Sequence, residues 1–94
     1  MNIDGNKLKI GEQEFRFIVN SPKLEALELG SKKSIIALMQ EISLSNLKMM
    51  FTMFIDVDRD KQKLFELALE EYGLGGLYKF ISEQIQEQAG FLFR

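Results

Sequence analysis

The sequence predicts an α+β fold that is mainly α, with an N-terminal β-hairpin followed by a compact bundle of about five short helices. Polar and apolar residues alternate over the first 20 positions, a pattern typical of half-buried strands. Beyond them, apolar residues recur three and four apart, and capping residues or glycines interrupt the pattern at short intervals. The 94 residues fit a single domain, 1–94, with the hairpin at 1–20, the helical bundle at 21–90 and an apolar tail at 91–94.

Two alternating runs predict the hairpin. Residues 7–10 and 14–19 flank the short polar connection Gly11-Glu12-Gln13. Side chains two positions apart point to the same side of a strand, so the hairpin has one apolar face. This face comprises Leu8, Ile10, Phe15, Phe17 and Val19. Because an isolated two-stranded hairpin is marginally stable, we expect it to pack on the helices or to join a partner's sheet.

Serine, proline and glycine mark the first two helices. Ser21 is expected to cap a short helix that Pro22 opens and Gly30 ends. Ser31 is expected to cap a second helix, which covers residues 32–42 and carries apolar residues at helical spacing.

The third predicted helix, 47–55, is apolar on nearly every face and follows a capping segment at 43–46. A helix that is hydrophobic all round is either central in the core or covered by another molecule. Its methionines could repack around different partners. One side of this helix can belong to the core and the other to a partner groove, so both interpretations stay open.

Two more helices complete the predicted bundle. Asp58 or Asp60 is expected to cap the fourth helix, which ends at Gly73. A glycine-rich turn at 74–76 then leads to the last helix, which covers residues 77–89.

The composition excludes several kinds of chemistry. The chain has no cysteine and no histidine, so it cannot form a disulfide, a thiolate metal site or a Ser–His triad. The net charge of −2 and the scattered basic residues argue against nucleic acid as a partner. We therefore expect no enzymatic activity, no cofactor and no bound metal.

Neither a membrane partner nor export is expected from the sequence. No apolar run approaches the ~20 residues of a membrane-spanning helix. The first residues lack the basic-then-apolar order of a signal peptide. These observations predict a cytoplasmic protein.

Three aspartates form the most metal-like cluster. Asp56, Asp58 and Asp60 match the first acidic positions of an EF-hand loop, but Lys61 and Leu67 stand where that loop needs glycine and glutamate. We interpret the segment as a solvated loop that caps a helix. The glutamate pairs and the glycine-rich turn also lack the spacing of acid–base or phosphate-binding sites.

Large apolar residues concentrate in the third helix and in the tail. Large exposed apolar patches usually indicate association with another molecule. The tail could instead fold back onto the core, and this alternative also stays open. The candidate protein-binding residues are Met49, Met50, Met53, Phe54, Phe91 and Phe93.

The order of elements also resembles a known family. A hairpin leading into Phe15-Arg16-Phe17 precedes a short leucine-rich helix, and the segment Glu70-Glu71-Tyr72-Gly73-Leu74 precedes a helix that ends in Gly90-Phe91. Over most of its length the chain resembles the tail assembly chaperones of long-tailed, siphovirus-type phages and prophages of Gram-positive bacteria. Its motifs are mainly apolar spacing and turn glycines, and the family has no catalytic motif to transfer.

The resemblance implies a role in phage tail assembly in the cytoplasm of the bacterial host. Such chaperones coat the aggregation-prone tape-measure protein before the tail-tube protein polymerises around it, and leave before the tail is complete. Many also exist as a longer product of ribosomal frameshifting. The expected partners are the tape-measure protein, the tail-tube protein and further copies of the same chain.

Two other functions remain open at this point. The protein could be another phage structural component, such as a head–tail connector or a tail-completion protein. It could also be a small regulatory module whose hairpin pairs into a dimeric sheet.

Overall fold

The computed structural model describes residues 6–93, in which an antiparallel hairpin precedes four α-helices and a terminal 3₁₀ helix. The elements are β1 (Lys7–Ile10), β2 (Gln13–Arg16), α1 (Ser21–Ser31), α2 (Ile35–Gln40), α3 (Leu44–Phe54), α4 (Lys61–Ala89) and the 3₁₀ helix (Gly90–Phe93). This arrangement confirms the predicted α+β, mainly α fold.

The hairpin packs on the helices through the predicted face. Its register pairs Leu8 with Phe15 and Ile10 with Gln13, and Gly11 supplies the positive φ of 66° that the tight turn requires. All five residues of the predicted apolar face are buried. The strand continues into a bridge between Phe17 and Ile55, which follows α3. The hairpin is therefore stabilised within the chain by its own helices.

The starts of α1 and α2 correct the sequence prediction. Asn20, not Ser21, caps α1: its backbone is extended and its Oδ1 accepts a hydrogen bond from the N–H of Lys23 at 3.0 Å. Ser34, not Ser31, caps α2, because Ser31 still belongs to α1 and the chain needs the intervening residues to turn. The third helix begins at Leu44, earlier than the predicted 47, because the first residue of the predicted capping segment is the cap: the Ser43 hydroxyl accepts from the N–H of Asn46.

The end of α1 also differs from the prediction. Gly30 remains helical, and the helix ends where Lys32 adopts the left-handed conformation with a φ of 61°. The N–H of Lys32 donates to the carbonyl of Glu28 at 2.8 Å, which closes the last turn. As a result α2 begins later than predicted and is only six residues long.

The fourth and fifth predicted helices form one element that is interrupted at Gly73. This residue has a φ of 77° and a ψ of 169°, whereas residues 74–76 are helical, so the predicted three-residue turn is wrong. Leu77, Ile81 and Ile85 would lie on roughly the opposite side from Phe65 and Ala68 in an unbroken helix. The break turns both halves of α4 toward the same core, and all five side chains are buried.

The predicted side-chain cap at the start of α4 is also absent. Asp60 precedes the helix with a φ of 48°, but its side chain makes no capping hydrogen bond. In this left-handed conformation its carboxylate does not reach the free N–H groups of the first turn. Asp58 lies before the N-cap position, so the predicted side-chain cap by Asp58 or Asp60 is wrong.

Four aromatic side chains, from the segment after β2, from α3 and from α4, meet in the core. The ring of Phe17 makes edge-to-face contacts with Phe51 of α3 and Phe80 of α4, with centroids 5.3 and 5.1 Å apart. Phe51 also packs against Phe65 at 5.4 Å. The third helix is thus largely a core helix, which is one of the two interpretations that its all-round apolar character allowed.

A glutamine from the C-terminal part of α4 holds the segment that follows the hairpin. The Nε2 of Gln88 donates to the carbonyl of Phe17 at 2.9 Å, and its Oε1 accepts from the N–H of Val19 at 2.9 Å. The same Nε2 lies 2.8 Å from the Oε1 of buried Gln84. The side-chain amide therefore satisfies two backbone groups that a neighbouring strand would otherwise satisfy.

Candidate protein-docking surfaces

The six predicted binding residues fall into three environments. Met50 and Phe54 are 1% and 0% exposed and lie in the core, so a partner cannot reach them in the folded chain. Met49 and Met53 are partly buried, one residue step of about 100° around α3 from that pair, and pack against the edge of the core. Phe91 and Phe93 of the 3₁₀ helix are exposed. Of the six residues, only Met49, Met53, Phe91 and Phe93 are therefore accessible to a partner of the folded chain.

Met49 and Met53 line a small groove between α1 and α3. The groove has a volume of about 230 Å³, and Leu27 and Gly30 form part of its α1 side. The hydroxyl of Thr52, which also lines it, donates to the carbonyl of Lys48 within α3 at 2.9 Å. That hydroxyl is already engaged, so the groove offers mainly apolar contacts.

A larger apolar surface lies where α2 meets α1 and the C-terminal 3₁₀ helix. It contains two adjoining depressions, of about 370 and 460 Å³, and both are lined by Ile36 and Phe93. Leu92 lines the first depression and Met39 the second. The side chains of Ile36, Leu92 and Phe93 remain 55%, 45% and 42% exposed. We call these two depressions and the residues that line them the α2 surface.

Hydrogen bonds at its N-terminus hold α2 so that Ile36 points outward. A carboxylate oxygen of Glu28 accepts from the N–H of Ile35 at 2.9 Å, and the Ser34 hydroxyl accepts from the N–H of Ala37 at 3.1 Å. Ile35 and Leu38 are then buried, and Ile36 is turned away by the 100° step of the helix. The exposure of Ile36 thus follows from how the helix is anchored.

The electrostatic character of the α2 surface differs between its two depressions. Glu25 and Glu28 of α1 line the first depression, and neither a lysine nor an arginine of the described chain joins them. The second depression carries the neutral amides of Gln40 and Gln86. The surface is therefore acidic at one end and uncharged at the other.

Polar groups elsewhere mainly hold the fold together. A carboxylate oxygen of Glu71 accepts from the N–H of Gly11 at 3.0 Å, and the Tyr72 hydroxyl donates to the carbonyl of Lys9. Partial burial, and then the negative charge and hydrogen-bonding carboxylate of Glu71, raise the pKa of Tyr72. These contacts fix the tip of the hairpin to α4.

Groups suited to metal binding or membrane insertion are absent from residues 6–93. These residues contain no cluster of three or more acidic, histidine or cysteine side chains that could hold a metal ion. Asp56, Asp58 and Asp60 are all exposed to solvent. None of the helices described is both long enough and apolar enough to cross a membrane.

Sequence reasoning missed Ile36 as a surface residue. The adjacent pair Ile35-Ile36 carried a weak signal, because successive residues of a helix lie 100° apart and one of the two lies nearer to solvent when a short helix packs on one side only. Leu92 belongs to the apolar tail that the sequence marked as a candidate patch, and the structure places it beside α1.

Comparisons of the chain with protein-family models, curated proteins and solved structures give no significant match. The two apolar surfaces and the resemblance in sequence are therefore the features that bear on function.

Proposed function

We propose that the protein is a non-enzymatic tail assembly chaperone of a long-tailed phage or prophage, which binds the tape-measure protein and keeps it soluble. The observation that carries this proposal is the α2 surface. It exposes Ile36, Leu92 and Phe93 beside two depressions, while a separate core of buried residues stabilises the fold. Apolar side chains that are left outside a complete core are typical of association surfaces.

The two adjoining depressions of the α2 surface suit an apolar stripe on a helix. Helix-in-groove recognition places side chains spaced three and four residues apart into neighbouring apolar depressions. The α2 surface offers two adjoining depressions, and the α1–α3 groove adds flexible methionines that can adapt to different side chains. The sequence resemblance to tail assembly chaperones supports a long helical client.

Binding and release require no bond chemistry. A single small apolar surface binds weakly, but many copies along one long client gain affinity through effective concentration. Weak individual contacts would also let the chaperone leave when the tail-tube protein covers the same stripe. This mechanism fits a chain without histidine or cysteine.

The hairpin gives less support to a regulatory module that dimerises through a shared sheet. The outer edge of β2 and the residues after it bond to the end of α3 and the segment that follows it. The N–H of Asp56 donates to the carbonyl of Arg16, and the N–H of Ile18 donates to the carbonyl of Phe54. On the other edge, the Lys9 carbonyl accepts from Tyr72. The carbonyls of Arg16 and Lys9, one on each edge of the hairpin, are therefore already used and not free to join a second hairpin.

Co-expression with the tape-measure protein encoded by the same phage or prophage tests the proposal. We expect the wild-type chain to raise the soluble fraction of that protein, and Ile36→Asp and Phe93→Asp to abolish the effect. Leu29→Asp is the matched control, because Leu29 is 75% exposed and lines none of the three depressions. Unchanged solubility, or equal loss with Leu29→Asp, would contradict the proposal.

The composition of purified particles separates a chaperone from a connector or tail-completion protein. A chaperone is expected to be absent from finished tails, whereas a structural component stays in them. Detection of the chain by mass spectrometry at a fixed ratio to the tail-tube protein would favour the structural role.

A further inference from the structure

We infer that the α2 surface selects amphipathic helices that carry lysine or arginine at one end of their apolar stripe. The inference rests on the proposed function and specifies the chemistry of the client segment. It is drawn from the unequal charge of the two depressions that form the surface.

The first depression presents negative charge beside apolar side chains. Glu25 and Glu28 lie one helical turn apart on α1, with Leu92 and Phe93 across from them. One oxygen of Glu28 accepts the N–H of Ile35, whereas Glu25 makes neither a hydrogen bond nor an ion pair with another described residue. The Glu25 carboxylate is therefore available to an incoming cation.

The neighbouring lysines do not neutralise these glutamates. The ammonium group of Lys23 donates to the carbonyl of Met53 at 3.2 Å, on the α3 side of α1. The ammonium group of Lys33 lies 3.3 Å from both Glu41 and the Asn46 side chain. Both cations are held by other partners, and Lys32, one turn after Glu28, forms no ion pair with either glutamate. The acidic end therefore keeps its charge.

The second depression fixes the orientation of the bound helix. Its polar groups, Gln40 and Gln86, are uncharged, and Met39 supplies an adaptable apolar wall. A client helix that spans both depressions gains affinity from a basic residue only at the end that lies beside α1. A segment with acidic residues there would meet like charge next to a desolvated surface, which opposes binding.

Two designed peptides test this selection directly. Both are fluorescein-labelled amphipathic helices of about 18 residues with the same apolar stripe, long enough to span the two depressions. One carries lysine and arginine at one end of the stripe, and the other carries glutamate at the same positions. Fluorescence anisotropy at about 25 mM and about 500 mM salt compares their affinities for the full chain.

We expect the basic peptide to bind about 10-fold more tightly at low salt, and the difference to shrink toward equality at high salt because salt screens exposed charges. Glu25→Gln should lower the ratio several-fold. Glu70→Gln is the matched control, since Glu70 is an exposed glutamate of α4 that does not line the surface, and it should leave the ratio unchanged. Glu28→Gln is avoided because Glu28 also anchors α2.

Each other outcome overturns the inference. Equal binding of both peptides would leave apolar docking intact and refute selection by charge. If neither peptide binds, both the inference and the proposed docking at this surface are refuted. If sedimentation velocity instead shows a dimer that Ile36→Asp dissociates, and the peptides do not compete with it, the occupant is a second copy of the chain. Circular dichroism of each variant confirms that it is folded.

Discussion

Tyr72 connects the hairpin to α4 through a single hydroxyl group. The hydroxyl donates to the carbonyl of Lys9, and neighbouring Glu71 accepts from the N–H of Gly11. Partial burial, followed by the charge and the hydrogen bond of Glu71, raises the pKa of Tyr72 above 10.0. The folded state therefore favours the neutral phenol.

The raised pKa of Tyr72 predicts a loss of stability in alkali. A group whose pKa is higher in the folded state stabilises the fold below its unfolded pKa, and this contribution disappears as the pH rises through the folded value. We expect the stability difference between wild type and Tyr72→Phe to shrink between about pH 9 and pH 12. Urea denaturation at several pH values measures this difference. Tyr78→Phe is the control, and an equal pH trend in that variant would contradict the assignment to Tyr72.

Gln88 is the second residue whose side chain holds distant parts of the chain together. Gln88→Leu would leave the carbonyl of Phe17 and the N–H of Val19 without the partner they have in the fold. We expect a loss of about 2 kcal/mol in the free energy of unfolding, the range for unsatisfied, partly buried polar groups. Chemical denaturation measures it. Gln86→Leu, at an exposed position of the same helix, should change stability by less than about 0.5 kcal/mol.

At the scale of elements, the carbonyl groups at the C-terminus of α3 all accept hydrogen bonds from donors that lie outside the helix. Its last four carbonyls accept from four donors: Ile55 N–H to Phe51, Lys61 Nζ to Thr52, Lys23 Nζ to Met53, and Ile18 N–H to Phe54. The two ammonium groups also complement the negative end of the helix dipole. The hairpin, α1 and α4 thus all converge on the end of one core helix.

This arrangement predicts that Lys23→Met and Lys61→Met each destabilise the fold. Each substitution removes a charged donor from a helix end, which costs about 0.5–1 kcal/mol. High salt should reduce the effect, because part of it is electrostatic. Thermal unfolding at low and high salt provides the measurement. Lys63→Met is the control, as Lys63 is exposed and makes no such contact, and an equal loss there would point to a general charge effect.

The break in α4 predicts opposite effects of two neighbouring alanine substitutions. Gly73 has a φ of 77° with a ψ of 169°, a conformation almost confined to glycine, so Gly73→Ala is expected to destabilise by about 1–3 kcal/mol. Gly75 is helical with open space around its Cα, so Gly75→Ala is expected to stabilise by about 0.5–1 kcal/mol. Urea denaturation of both variants distinguishes them. Stabilisation by Gly73→Ala would mean that the break is not required.

At the scale of the whole molecule, the predictable part of the fold follows local periodicity. The apolar face of the hairpin could be predicted because alternate residues of a strand share one side. The cap at Ser43 could be predicted because the capping hydrogen bond spans only three residues. Both depend on neighbours in the sequence alone.

The features of the fold that could not be predicted depend on contacts between residues far apart in the sequence. The sequence placed the end of the fourth helix at Gly73, where the break lies. That Gly75 and Gly76 stay helical was not predicted, because it depends on how both halves of α4 turn toward one core. Likewise, the apolar third helix indicated either core or partner contact, and the positions of β2 and α4 assigned Met50 and Phe54 to the core. The α2 surface arises from the meeting of α1, α2 and the C-terminal 3₁₀ helix, so no single segment indicated it.

The hydrogen bonds of Gln88 also bear on how the chain acquires its fold during synthesis. Phe17 and Val19 leave the ribosome first, but the amide that satisfies them lies 71 and 69 residues later. The hairpin tip depends in the same way on Glu71 and Tyr72. Because these contacts can form only after residues 71–88 have been synthesised, we expect the hairpin and the segment after it to lack these partners until most of the chain has been translated. We therefore expect an interval during synthesis in which the nascent chain is itself prone to aggregation.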